Sequence, residues 1–329
     1  MREAWLDRLK GLLIVIVVIG HILPGPYNTL ENWPSIIYLF HMPAFFMISG
    51  YLIRDKGQGL ITSVGAKARR TLLPYLIYLF LIAGTQVILA AVKNPKWYFM
   101  KKNLKLFFQG GQDLNYFNCG ALWFLSCSFF VFLFFFLIEK GIRNHWFKLG
   151  AFLVLWIVAH VQSKYFIEGT GPSFLLWDVA IIGCVYLAIG YYGKKYLFNK
   201  KLLIASVAVL VIFSVTRATG ISEYMNGFAI ELWSHTYRYP LLDLLIPVSG
   251  FVILANLMKL IPEGIGSDLL SDIGKYTLPI MACHQILIYM LREQKIDQML
   301  ILWAAGVIVP YLFGKFIINK ISILRKSML

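Results

Sequence analysis

The sequence predicts an all-α polytopic membrane protein, with about ten transmembrane helices around an intramembrane cavity. Three observations carry this. First, the 329 residues are 59% hydrophobic and 14% charged, with a mean hydropathy of +0.70, whereas a soluble domain is about 45–50% apolar and about 25% charged. Second, the apolar residues fall in repeated runs approaching the roughly 20 residues that span a bilayer. Third, the bases behind the net charge of +15 cluster between those runs. Positive-inside topology therefore accounts for them, and a nucleic-acid partner is not needed.

Taken in order, the first run covers residues 9–24 and holds an unbroken aliphatic stretch from Leu13 to Ile19. The second, 34–53, comes after a short polar turn and runs back inward. Further runs lie at 71–92, 119–139, 147–163, 174–193, 201–216, 240–260, 274–291 and 298–318, the fifth and seventh being the shortest. An even number of spans puts both ends on one side. That side then carries Arg2, Arg8 and Lys10, the basic 2–3, 4–5, 6–7 and 8–9 connections, and Lys315, Lys320, Arg325 and Lys326. Together these are about two thirds of all lysines and arginines, which places both termini in the cytoplasm of a cell-membrane protein. No long polar stretch suggests a separate soluble domain, so residues 1–329 read as a single transmembrane domain without an appended one. No cleavable signal is visible, because the first run lacks a small-residue cleavage site and more spans come at once. Cys119, Cys127, Cys184 and Cys283 have no C-x-x-C spacing and read as apolar packing residues.

Outside the ten runs, residues 93–105 interleave Lys93, Lys96, Lys101, Lys102 and Lys105 with Trp97, Tyr98, Phe99 and Leu104. Such a stretch suits a helix lying in the membrane interface, or the mouth of an acceptor groove, with the interfacial helix preferred. The longest outer connection covers 217–239.

Ionisable groups inside apolar runs are costly, so they point to function. At about 100° per residue, Lys10 and His21 return to within roughly 20° of one line, and Asp7 lies about 40° from it. The rise from Lys10 to His21 is about 16 Å. Either a base at the inner mouth and a ring deep in the span form a polar path, or Asp7 and Lys10 are a surface pair and His21 merely ends a helix. His41, about 10 Å below Pro34, and His284, about 15 Å beyond Gly274, reach similar depths. Three histidines can suggest zinc, but no acidic or cysteine partner is spaced to support it, and no metal is expected. The 2–3 loop ends in Lys67, Arg69 and Arg70, which serve either as topogenic charge or as a receptor for a cytoplasmic polyanion.

The stretches LDRLKGLLIVIVVIGH, FHMPAFFMISGYL, ARRTLLPY, ALWFL and IGKYTLPIMACH, in this order along the whole chain, resemble the signatures of the acyltransferase 3 family, in its fucose 4-O-acetylase-like and exopolysaccharide-modifying branch. The family's first motif pairs an Arg with a His eleven positions on. Here those positions are Lys10 and His21, and Lys keeps the charge but loses the bidentate fork. The resemblance implies a membrane-bound enzyme that moves an acyl group, usually acetyl from acetyl-CoA, to a hydroxyl of a surface polysaccharide or lipid-linked glycan. On that reading Lys10, Lys67, Arg69 and Arg70 hold the donor's phosphates. His21 is the general base, Asp7 belongs to its polar path, and His41 or His284 orients the base or donates to the thioester oxygen. Trp123 and Phe124 wall the acyl pocket, stack on a sugar ring, or simply pack. The rival classes are a glycan transporter or flippase without acyl transfer, and a sensor or scaffold without turnover. A transporter is disfavoured by the missing pair of interrupted, symmetry-related half-spans.

Overall fold

The computed structural model describes residues 3–23, 38–54, 57–93, 97–165, 173–219 and 228–328. The helices in chain order are α1 Ala4–Ile22, α2 His41–Tyr51, α3 Leu60–Leu79, α4 Thr85–Lys93, α5 Trp97–Gln109, α6 Trp123–Gly141, α7 His145–Tyr165, α8 Val179–Gly193, α9 Lys200–Ala218, α10 Pro240–Leu260, α11 Ile265–Ile273, α12 Thr277–Glu293, α13 Met299–Phe313 and α14 Ser322–Met328. Among the described residues there is no sheet, only an isolated antiparallel bridge between Glu231 and Thr236. The chain is an all-α, multi-pass membrane protein. Among the described residues, seven helical stretches, from Leu60–Val92 to Met299–Ile318, are long and apolar enough to cross a bilayer. They correspond to seven of the ten runs read from the sequence. The other three runs fall on α1, which carries Asp7, Arg8 and Lys10, on the 11-residue α2, and on the 17-residue α12. Residues 34–37 of the second run lie outside the described residues.

The chain groups into two compact units: residues 1–56, 149–168 and 182–277, and residues 57–148, 169–181 and 278–329. In the first, α1 is buried along Leu9, Leu13, Ile14, Val17 and Val18. It packs against α10 and α11. The approach to α11 is so close that a methyl group at Gly11 would collide with the Leu270 carbonyl, and one at Gly274 with the Asp7 carbonyl. Only glycine allows backbone to meet backbone there. Several helix ends have identifiable causes. The Asn199 side chain accepts from Lys201 N at 2.9 Å and so starts α9. Pro240 sits in the first turn of α10, where its missing N–H costs nothing. At the other end of α10, the last carbonyls have no helical partner. The buried Arg8 supplies one, donating Nη1 to Ile261 O at 2.7 Å and to Met258 O at 3.3 Å. Trp5 packs edge-on to Tyr51 and Phe198, with ring centroids 5.2 and 5.1 Å away.

In the second unit, α3 packs on α6. Tyr75, Tyr78, Leu79, Ile82 and Ala83 form a core with Phe107, Leu114, Phe117, Cys119, Leu122 and Leu125. A π-turn at Phe80–Gly84 joins α3 to α4, giving one helical stretch of 33 residues. The extra residue of a π-turn rotates the helix beyond it, and Gln86 on that side donates to Phe117 O at 2.7 Å.

Two sequence expectations change. Lys67, Arg69 and Arg70 lie on α3, not in a loop, and so does Gly65. Ala66, Ala68 and the three bases are strong helix formers, and the helix begins at Leu60, well before the apolar run. The 8–9 connection likewise contains the short helix α11. For the basic, aromatic stretch, α5 shows an amphipathic pattern, with Lys101, Lys102 and Lys105 exposed and Asn103 and Phe107 buried; residues 94–96 lie outside the described ones. Of the cysteines, Cys119, Cys127 and Cys184 are buried and Cys283 partly so, all as free thiols.

Candidate functional site

The first unit holds most of the predicted stripe. Asp7 is only 3% exposed, and its Oδ1 lies 2.6 Å from Lys10 Nζ, whose side chain is itself 19% exposed. This is not the surface pair that the spacing also allowed. The reason is α11: its seat on Gly11 and Gly274 covers that turn of α1. The ion pair is therefore largely desolvated, where it gains more from Coulomb attraction than an exposed pair does.

At the other end of α1, His21 lies in the last turn and is partly buried. Beside it, Tyr38 donates its hydroxyl to Gly20 O at 3.3 Å. The same ring stands edge-on to His41, 5.1 Å between centroids, and His41 is buried at the start of α2. Tyr38 thus ties the backbone beside His21 to the His41 ring. The His41 ring and the backbone of the turn that carries His21 thus meet at one phenol, a meeting that depth along the helices alone did not predict.

The remaining predicted residues belong to the second unit. His284 is fully buried on α12, and its Nδ1 lies 2.9 Å from Ile280 O. A carbonyl only accepts, so Nδ1 carries the hydrogen. That tautomer makes Nε2 the acceptor atom of the ring. On α3, Lys67 lies over the Phe132 ring of α6, 4.0 Å from its centroid, while Arg69 and Arg70 are exposed. Lys67 is therefore engaged by an aromatic face, and the two arginines form the accessible part of the basic cluster. Trp123 begins α6 and is buried, with the Phe124 ring edge-on at 6.1 Å. Just before it, Ala121 N donates to Gln285 Oε1 at 2.8 Å.

Sequence reasoning missed a second buried polar group in the first unit. His160 on α7 places Nε2 3.1 Å from Asp243 Oδ2 on α10, and Asp243 is fully buried. His160 Nδ1 lies 2.8 Å from Trp156 O and so carries a hydrogen. The contact with Asp243 then requires one more proton, on Nε2 or on the carboxyl, and the pair is neutral as a whole in either case. Asp243 Oδ2 also accepts from Tyr239 N at 2.8 Å, and Tyr186 donates to the Asp243 carbonyl at 2.6 Å. The signal was available: an Asp and a His each inside an apolar run. Arg8 was missed for another reason, since it was counted only among the topogenic bases.

Among the described residues, no group of three His, Cys, Asp or Glu side chains gathers as a metal site. The family model described as "Acyltransferase domain" matches residues 3–320. This chain belongs to the acyltransferase 3 family. Among curated proteins it is similar to nodulation protein NolL of Sinorhizobium fredii (strain NBRC 101917 / NGR234), 43% identical over 91 residues, which is 25% of this chain and 24% of that protein. It is also similar to nodulation protein NolL of Mesorhizobium japonicum (strain LMG 29417 / CECT 9101 / MAFF 303099), 33% identical over 140 residues, covering 40% of this chain and 35% of that protein. The match thus spans about a quarter to a third of the length of these relatives. No solved structure matches this acyltransferase 3 chain.

Proposed function

We propose that this protein transfers an acyl group, acetyl from cytoplasmic acetyl-CoA in the simplest case, to a hydroxyl of a carbohydrate such as a surface polysaccharide or lipid-linked glycan. The observation that carries the reading is the convergence of the His21 end of α1 and the His41 ring on Tyr38, in a chain of this family. His21 acts as the general base. An imidazole with a pKa of about 6.5 is suited to take a proton near neutrality. It removes the acceptor's hydroxyl proton as that oxygen forms a bond to the thioester carbonyl. The carbon–sulfur bond then breaks, and the proton passes to the departing thiolate. His41, fixed edge-on by Tyr38, orients the base. The Asp7–Lys10 pair sets the charge at the opposite end of the helix, about 16 Å away along its axis, where the donor's anionic groups enter.

For the second unit, the exposed Arg69 and Arg70, with Lys67 beside them, are assigned to phosphate groups of the donor, whose oxygens suit guanidinium forks. Trp123 and Phe124 are assigned to acyl or sugar contacts, and His284 to orientation. Both units serve one acyltransferase domain, a reading supported by the single family match across them. Both termini face the cytoplasm of the cell membrane, on the strength of the distribution of bases.

The test uses purified protein in detergent with labelled acetyl-CoA and candidate glycans. Transfer of label is expected, and His21→Ala should lower it by about 10²–10⁴-fold without loss of fold. Near-normal turnover by the variant would remove the assigned role. Movement of glycan across vesicles with no label transferred would favour the carrier instead.

A further inference from the structure

The segment from Phe228 to Tyr239 is tethered three times within the first unit. Ile230 N donates to Tyr38 O at 3.1 Å. His235 O accepts from Ser163 Oγ at 2.6 Å. Tyr239 N donates to Asp243 Oδ2, which His160 also holds. Ser163 and His160 are three residues apart on α7 and so share a face. Between the tethers, Glu231 and Thr236 exchange both backbone hydrogen bonds, at 3.1 and 3.0 Å. Ser234 Oγ lies 3.1 Å from Glu231 Oε2 and 3.0 Å from Thr236 Oγ1. Trp233 lies between Glu231 and Ser234 in the chain and is partly buried, as are Glu231, Ser234 and Thr236.

The tip therefore carries a carboxylate, two hydroxyls and an indole on one hydrogen-bonded turn. That turn hangs from Tyr38, the same residue that touches the backbone beside His21 and the ring of His41. It lies at the His21 end of α1, opposite the Asp7–Lys10 end. A polyhydroxylated ring is recognised by this set: oxygens that exchange hydrogen bonds with hydroxyls, and an aromatic face for the C–H side of the ring. Partial burial raises the Glu231 carboxyl above the usual carboxylate range, and the Ser234 hydrogen bond pulls it partly back. Such a carboxyl is a strong, poorly solvated partner for a sugar hydroxyl.

We infer that the Glu231–Thr236 turn is the acceptor subsite, with Glu231, Ser234 and Trp233 contacting a sugar ring, and that the His160–Asp243 pair is the positioning group that seats it. The inference deepens the acyltransferase reading and names the part of the chain that selects the acceptor. His160 and Asp243 do not touch the sugar. They act through the Tyr239 backbone, and their shared proton keeps the pair neutral within the membrane. An unpaired carboxylate there would cost far more.

The test separates binding from turnover. Binding of methyl glycosides of fucose, galactose and glucose to the full chain in detergent is measured by saturation-transfer NMR, and acetyl-CoA binding is measured in parallel. The wild type should bind at least one glycoside. Glu231→Gln, on a half-exposed turn, should weaken it by about tenfold or more, the loss typical of a charge-assisted hydrogen bond. Asp243→Asn should weaken it to a similar degree, and both variants should leave acetyl-CoA binding unchanged. No glycoside binding by the wild type, or equal binding by wild type and Glu231→Gln, would overturn the inference. Glycoside binding without acyl transfer would instead overturn the enzymatic reading and leave the subsite standing.

Discussion

Arg8→Met offers the most direct test of the first unit's architecture. Read from the sequence, Arg8 is one of several bases that set topology. In the structure it is 5% exposed, and one nitrogen donates to two carbonyls at the end of α10, some 250 residues away. Methionine keeps the length and apolar stem but removes both donors. A hydrogen bond to a charged group contributes about 1.5–3 kcal/mol. The 2.7 Å bond to Ile261 O takes the full value and the 3.3 Å bond to Met258 O a fraction of it. Relief of the guanidinium's desolvation offsets part of this, which leaves about 2–4 kcal/mol of destabilisation. At roughly 2–4 °C per kcal/mol for a unit of this size, thermal unfolding in detergent should move down by about 4–16 °C. Arg8→Lys keeps the topogenic charge on a shorter side chain, and should fall in between. A midpoint for Arg8→Met within about 1 °C of wild type, where the predicted shift is several degrees, would refute the capping role.

Substitutions elsewhere probe other contacts. A double-mutant cycle on Asp7→Asn and Lys10→Gln should give a coupling above the roughly 1 kcal/mol ceiling of exposed pairs, read from thermal midpoints; a value near zero would return the pair to the surface class. Gly274→Val should unseat α11 from α1 and impair folding, while Gly264→Val, where a Cβ meets nothing within 4 Å, should be tolerated; in-gel fluorescence of a tagged protein would distinguish them. Reversing the charges of Arg69 and Arg70 to Glu should raise the KM for acetyl-CoA by about tenfold or more if they hold phosphates, and an unchanged KM would assign them to topology alone. Lys67→Met should cost about 0.5–2 kcal/mol through the lost contact with Phe132, measured by the shift in unfolding midpoint.

Much of the fold was legible because bilayer thickness sets a length that hydropathy alone can measure. Six apolar runs became helices of nearly the boundaries read, and the seventh, 71–92, became one that begins at Leu60. The departures have local causes. The Leu60–Arg70 stretch looks like a loop by hydropathy, yet its alanines and bases favour helix. α11 was invisible because a nine-residue amphipathic segment leaves no long apolar run. For the site, spacing within one helix gave the Asp7–Lys10 pair, since neighbours three residues apart share a face. The link from the Gly20 carbonyl through Tyr38 to the His41 ring was not legible, because the orientation of Tyr38 depends on packing. The His160–Asp243 pair was hidden for the same reason, its members being 83 residues apart. Arg8 shows the reverse error: a base beside a span was read as a charge when it serves as a cap.

The uninterrupted Leu60–Val92 stretch has a mechanical consequence. Its 33 residues reach about 50 Å at roughly 1.5 Å per residue, whereas the hydrocarbon layer is about 30 Å thick. No moderate tilt absorbs the difference, so one end stands clear of the lipid like a mooring post. The polar end is Leu60–Arg70, which puts Arg69 and Arg70 close to where the post leaves the bilayer, at the level of the phosphate headgroups. Any soluble anion that reaches them must compete there with the membrane's own, and occupancy of that position will vary with the anionic lipid content of the host bilayer.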